Sequence, residues 1–109
     1  MIDYNAKTTD TGMTLAHAAV IGSKETEVSV KILLEKGDRV NWNAVDKKGE
    51  SPLIMAVKKR KTEVAKLLLR NSSVDRTLKD RKNRSIERIA RYAWIENILN
   101  NVVDFLYLL

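Results

Sequence analysis

The sequence contains no cysteine, one proline, four glycines and one histidine in 109 residues. Without cysteine there is no disulfide, no thiolate zinc or iron–sulfur site and no thiol nucleophile. With His17 as the only histidine, a metal site would have to rest on carboxylates, which suit hard cations, and no carboxylate-rich calcium loop is present. Gly12, Gly22, Gly37 and Gly49 do not form the spacing of a phosphate-cradling loop. Acidic residues are interleaved with Lys and Arg, so no carboxylate pair tuned as acid and base stands out. His17 has no Ser or Asp partner in the pattern. These absences predict a non-catalytic chain with no cofactor and no metal. No apolar run reaches the about 18 residues that would mark a membrane-spanning helix. The first 30 residues lack a basic-then-apolar leader pattern. The triplets at Asn71 and Asn83 are therefore read as chance and not as glycosylation sites. The lack of cysteine fits a reducing compartment, and the expectation is cytoplasm or nucleus.

What is present is an ordinary apolar share, 44%, which argues for a packed domain and against disorder. Lys and Arg number 20 against 14 Asp and Glu, a formal charge of +6. The length fits one compact unit or a short array.

The chain repeats itself. Gly49-Glu50-Ser51-Pro52-Leu53-Ile54-Met55-Ala56-Val57 aligns with Gly12-Met13-Thr14-Leu15-Ala16-His17-Ala18-Ala19-Val20. Glu63-Val64-Ala65-Lys66-Leu67-Leu68-Leu69 aligns with Val28-Ser29-Val30-Lys31-Ile32-Leu33-Leu34. A weaker third copy runs from Asn83 to Ala90. The connecting arms Ile2-Asp3-Tyr4-Asn5, Val40-Asn41-Trp42-Asn43 and Val74-Asp75-Arg76-Thr77 match as well. Gly49 to Asn83 and Val40 to Val74 are both 34 positions, while Gly12 to Gly49 is 37, with the excess assigned to an insertion around Ser23–Glu27. A period of this size marks a stacked array.

Each unit reads as two short helices. Ser51 before Pro52 is an N-cap followed by proline at the first helical position. Val64, Leu67 and Leu68 have the i, i+3, i+4 spacing of a buried stripe. Gly37 is expected to cap the preceding helix, and Asp46-Lys47-Lys48-Gly49 to form a tight turn with positive φ at the glycine. So short a helix pair closes its core only against neighbours.

On these residues the chain resembles the ankyrin-repeat family, whose pattern is roughly D-x-x-G-x-T-P-L-H-x-A-A, then V-x-x-L-L, then G-x-x-V-N. The middle copy, Asp46 to Asn71, fits best. The first has Thr9 at the aspartate position, Leu15 for proline and His17 at the histidine. The third has Asn83 for glycine, Ile86 for proline and Glu87 for leucine. The resemblance implies an all-α solenoid of helix-turn-helix units with short β-hairpin-like loops. Residues 1–8 are read as the arm of a preceding unit, 9–45 as the first repeat, 46–79 as the second and 80–109 as the third with an extended C-terminal helix. It also implies that His17 bonds backbone near the turn. Tyr4 and Trp42 are expected to pack along the arm stack, and Trp94 beside the last helix.

The two ends are unlike the middle. With nothing before the first helix pair, Leu15, Ala19 and Val30 are expected to be partly uncovered. Ile95, Ile98, Leu99, Val102, Val103 and Leu106 form a C-terminal stripe, with Phe105 and Tyr107 to Leu109 adding apolar surface. That stripe carries no basic face suited to a membrane surface. It points to truncation, a further repeat, or self-association through an apolar helix.

The resemblance implies binding through the turn tips and the exposed ends of the first helices. At those positions stand Lys47, Lys48, Lys58 and Lys59 in the second copy, and Arg81, Lys82, Arg84 and Tyr92 in the third. The first copy has Met13 and Ile21. Seven of the positions are basic and two, Asp10 and Glu50, are acidic, so nearly all of the surplus charge falls there. The expected function is non-catalytic protein recognition, as an adaptor, scaffold or targeting module. The expected partner is acidic, anchored on Met13, Ile21 or Tyr92. The alternative is electrostatic binding of nucleic acid or anionic lipid. No nucleic-acid-binding motif supports it, and a solvated basic face that confers solubility is the bland reading.

Overall fold

The computed structural model describes residues 3–22 and 25–94, the side chains of 92–94 excepted. Among the described residues five α-helices follow one another: α1 (Leu15–Ile21), α2 (Thr26–Leu34), α3 (Pro52–Lys58), α4 (Thr62–Leu69) and α5 (Ile86–Trp94). No strand occurs among the described residues. α1 packs on α2 and α3 on α4, giving two helix pairs. α3 also touches α1 and α5, and α4 touches α2, so the first helices form one row and the second helices another. The fold is the expected all-α stack.

The starts of the first helices are written into the sequence. Ser51 Oγ accepts from the Ile54 N–H at 3.2 Å with Pro52 at the first helical position, and Ser85 Oγ accepts from the Arg88 N–H at 3.2 Å. In α1 the Thr14 N–H donates to His17 Nδ1 at 3.1 Å. α2 ends at Leu34 with Glu35 as its cap, and its last turn tightens as the Lys36 N–H reaches the Leu33 carbonyl at 3.0 Å. The left-handed step comes two residues past that cap, at Gly37 (φ +59), which opens a 3-10 turn over Gly37–Arg39 instead of capping the helix.

The core runs through both rows. Leu53, Ile54, Val57 and Leu68 are enclosed, as are Val20 and Val30 in the first pair. In α4 the buried face is wider than the predicted stripe: Val64, Ala65, Leu68 and Leu69 are buried and Leu67 is only half-buried. α4 faces α3 on one side and α2 on another, and two contact directions require more than one i, i+3, i+4 stripe. Truncating Leu68 belongs to the class of changes that cost about 2–5 kcal/mol. At the opposite end of the stack Leu15 is 47% exposed and Ala19 half-buried, as expected, but Val30 is fully buried. Val30 and Leu33, three apart, share the inward face of α2, whereas Val28 and Ile32, four apart, lie about half exposed.

The arms are tied together by side-chain amides at repeat spacing. Asn5 Nδ2 donates to the Arg39 carbonyl and its Oδ1 accepts from the Asn41 N–H, at 3.1 and 2.7 Å. Asn43 does the same to the Ser73 carbonyl and the Asp75 N–H, at 2.9 and 2.7 Å. Asp3, Asn41 and Asp75 each accept from the N–H two residues on. The Thr77 hydroxyl and N–H together hold the Asp75 carboxyl below the usual carboxylate range. Trp42 is buried and Tyr4 packs against the core, as the stacking expectation has it, while the third arm uses Arg76 to reach the Leu69 carbonyl at 2.9 Å. The C-terminal stripe from Ile95 to Leu106, and the side chain of Trp94, lie outside the described residues.

Candidate partner-binding surface

The turn tips come first, because they position most of the predicted residues. In the second tip the Asp46 N–H donates to the Glu50 carbonyl, and the Gly49 N–H to the Asp46 carbonyl, both at 3.0 Å. Asp46 Oδ1 accepts from the N–H groups of Lys48 and Glu50, both at 2.9 Å. Gly49 has φ +76, which a side chain resists. In the first tip the closing residue is Thr8, not Thr9. Its N–H meets the Met13 carbonyl at 3.0 Å and its Oγ1 accepts from the Met13 N–H at 3.2 Å. This tip is one residue longer, so counting back from Gly12 lands one position short.

Cations then staple each tip to the one before. Lys47 Nζ donates to the Thr9 carbonyl, and Arg81, 34 residues on, donates to the Lys47 carbonyl. Lys7 Nζ reaches the Val45 carbonyl at 2.8 Å.

Two predicted cations are committed to acids. Asp80, buried at the third tip, accepts from Arg84 Nε at 2.8 Å and pairs with its Nη at 2.7 Å. Lys58 Nζ pairs with Glu50 and lies 3.7 Å from the same Asp80 oxygen. Burial pushes the Asp80 carboxyl up, but the hydrogen bonds and charge of Arg84 and the charge of Lys58 outweigh it and hold the group below the usual carboxylate range. Lys58 and Arg84 are therefore internal partners, Arg84 within the third tip and Lys58 between the second and third. The expected basic surface shrinks accordingly. Among the described residues, the ammonium groups of Lys48, Lys59 and Lys82 have no partner.

The structure gathers five of the predicted residues around one groove of about 380 Å³, between the first two tips and the ends of α1 and α3. Met13, Ile21, Lys47, Lys48 and Lys59 line it, together with Asp10, Thr11, Glu50, Asp46 and Met55. Ile21, the last residue of α1, is 39% exposed there. Arg81, Lys82 and Arg84 stand apart at the third tip, and the Tyr92 side chain lies outside the described residues. Met55 escaped sequence reasoning because it sits in a continuous apolar segment that reads as core. Asp46 and Asp80 carry a signal in the sequence, an aspartate recurring after 34 positions.

His17 is away from this surface. Its ring is fully buried, Nδ1 accepts from Thr14, and Nε2 lies 2.8 Å from the Glu50 carbonyl. An accepting Nδ1 puts the proton on Nε2, which then donates across to the next repeat.

These features can be set against known proteins. A family model described as ankyrin repeats, three copies, matches residues 1–80. The chain belongs to the ankyrin-repeat family. Ankyrin repeats generally mediate protein–protein interaction and are typically non-catalytic, so a protein partner is the general role of this ankyrin chain. Comparison with curated proteins gives no match. Among the described residues no helix is long and apolar enough to cross a membrane.

Proposed function

We propose that this ankyrin-repeat chain is a non-catalytic recognition module, an adaptor, scaffold or targeting unit, that binds an acidic segment of a partner protein along its turn tips. The observation that carries the proposal is the groove beside Ile21, where exposed apolar surface is rimmed by Lys48 and Lys59, two cations without a partner among the described residues. Unpaired cations around an open concave surface attract carboxylates and speed their encounter. The chemistry of the chain fits the cytoplasm or nucleus. His17, the only histidine, is committed to holding two repeats together and is not free to act as a base.

The test is charge reversal at the unpaired cations, Lys48→Glu with Lys59→Glu. Melting is expected to stay within a few degrees, and binding of a glutamate-rich peptide to fall at least tenfold at moderate salt. Lys58 is unsuitable for this test, since a glutamate there would face Glu50 and Asp80 and unsettle the fold. Binding of duplex DNA or phosphatidylserine vesicles in preference to the peptide, lost steeply with added salt, would favour phosphate recognition instead.

A further inference from the structure

Resting on the acidic-partner reading above, we infer that the groove selects a particular arrangement: a bulky apolar side chain with a carboxylate close beside it in the same protein segment. Three observations lead there. First, the apolar part of the wall comes from three separate places, Met13 on the first tip, Ile21 at the end of α1 and Met55 in α3. Methionines adapt to the shape of an inserted group, and Ile21 is 39% exposed. Such a floor contributes binding only when an apolar group displaces the water over it.

Second, two of the three acids of the same wall are engaged. Asp46 holds two backbone N–H groups and Glu50 pairs with Lys58, whereas Asp10 is exposed and accepts from the Thr11 N–H at 2.8 Å. The engaged pair offers less to a cationic ligand than free acids would. Third, the unpaired cations, Lys48 and Lys59, come from two separate elements that line the groove, one from the second tip and one from the end of α3. A ligand whose apolar group sits on Ile21 shares the groove with both ammonium groups. The third tip keeps one cation without a partner among the described residues, Lys82, but it does not line the groove, while Arg84 and Lys58 are engaged by Asp80 and Arg81 is held on the Lys47 carbonyl. Anchor and charge are thus read together between the first and second repeats.

The experiment is selection from a displayed library of random twelve-residue peptides on the whole chain. Enriched peptides are expected to carry Leu, Ile, Met or Phe within two positions of Asp or Glu. Their binding is expected to weaken at least tenfold against the Ile21→Gln chain, which keeps its melting temperature because Ile21 is part-exposed at a helix end. Lys48→Glu with Lys59→Glu should weaken the same peptides. Acidic peptides without an apolar anchor, or peptides that bind Ile21→Gln as well as wild type, would overturn this inference and leave the acidic-partner reading standing. Enriched peptides that are not acidic would overturn both, as would a selection that returns none.

Discussion

The second and third turn tips have the same backbone and opposite electrical roles. Asp46 and Asp80, 34 residues apart, close their turns alike: each N–H meets the carbonyl four residues on, and each Oδ1 gathers two backbone N–H groups. Beyond that they part. Among the described residues the Asp46 carboxylate makes only those two bonds, whereas Asp80 also takes Arg84 and faces Lys58. A repeat position can therefore be conserved in shape within one chain while its charge does different work in each copy. In the second copy lysines stay free around a groove. At the third tip, Arg84 and the second copy's Lys58 are drawn onto Asp80, and Lys82 is left without a partner among the described residues.

Alanine at the two aspartates measures the difference. Asp80→Ala leaves two N–H groups and the Arg84 guanidinium without their acceptor and Lys58 with Glu50 alone, and should destabilise by about 2–3 kcal/mol. Asp46→Ala leaves only the two N–H groups and should cost about 1–2 kcal/mol. Urea unfolding with a common slope checks both values. Equal losses would mean that the ion pairs at Asp80 contribute nothing beyond the turn.

The same contrast has a pH dependence. The Asp80 carboxyl titrates lower in the folded chain than in the unfolded one, so the unfolded state binds more protons in acid. Its stabilisation is fully present above the ordinary carboxylate range and is lost as pH falls through the lower folded value. Asp80→Asn keeps an acceptor for the turn but cannot titrate. Thermal melts from pH 6 down to pH 2 should therefore fall less steeply for Asp80→Asn than for wild type. A parallel fall in the two would remove Asp80 from acid unfolding.

How much of this was legible follows from which forces act locally. The stack, the Ser51–Pro52 start and the Gly49 turn were readable because capping and positive φ are properties of neighbouring residues. So was the burial of Trp42, through its matching place in the arms. The failures involve distance or count. Thr8 replaced Thr9 because the first tip holds one extra residue. Leu67 lost its place in the core to Leu69 because α4 has two neighbours. Lys58 and Arg84 are paired internally because Asp80, distant in sequence from Lys58, arrives beside it only on folding. A sum of formal charges treats every lysine as free, and packing decides which ones are.

The smallest effect tests backbone instead of charge. The two tips place Gly49 and Asn83 at the same left-handed step, with φ +76 and +61. Alanine at Gly49 would meet the Arg81 Cβ at 3.4 Å and occupy a conformation that disfavours a side chain, so Gly49→Ala should cost about 1 kcal/mol or slightly more. Asparagine tolerates this region far better than alanine, and glycine gives back in unfolded-state entropy what it gains in strain. Asn83→Gly should accordingly change stability by less than about 0.5 kcal/mol, and Asn83→Ala should resemble Gly49→Ala. A large gain from Asn83→Gly would show that the third tip is strained where the second is not, and the two turns would then differ in backbone as well as in charge.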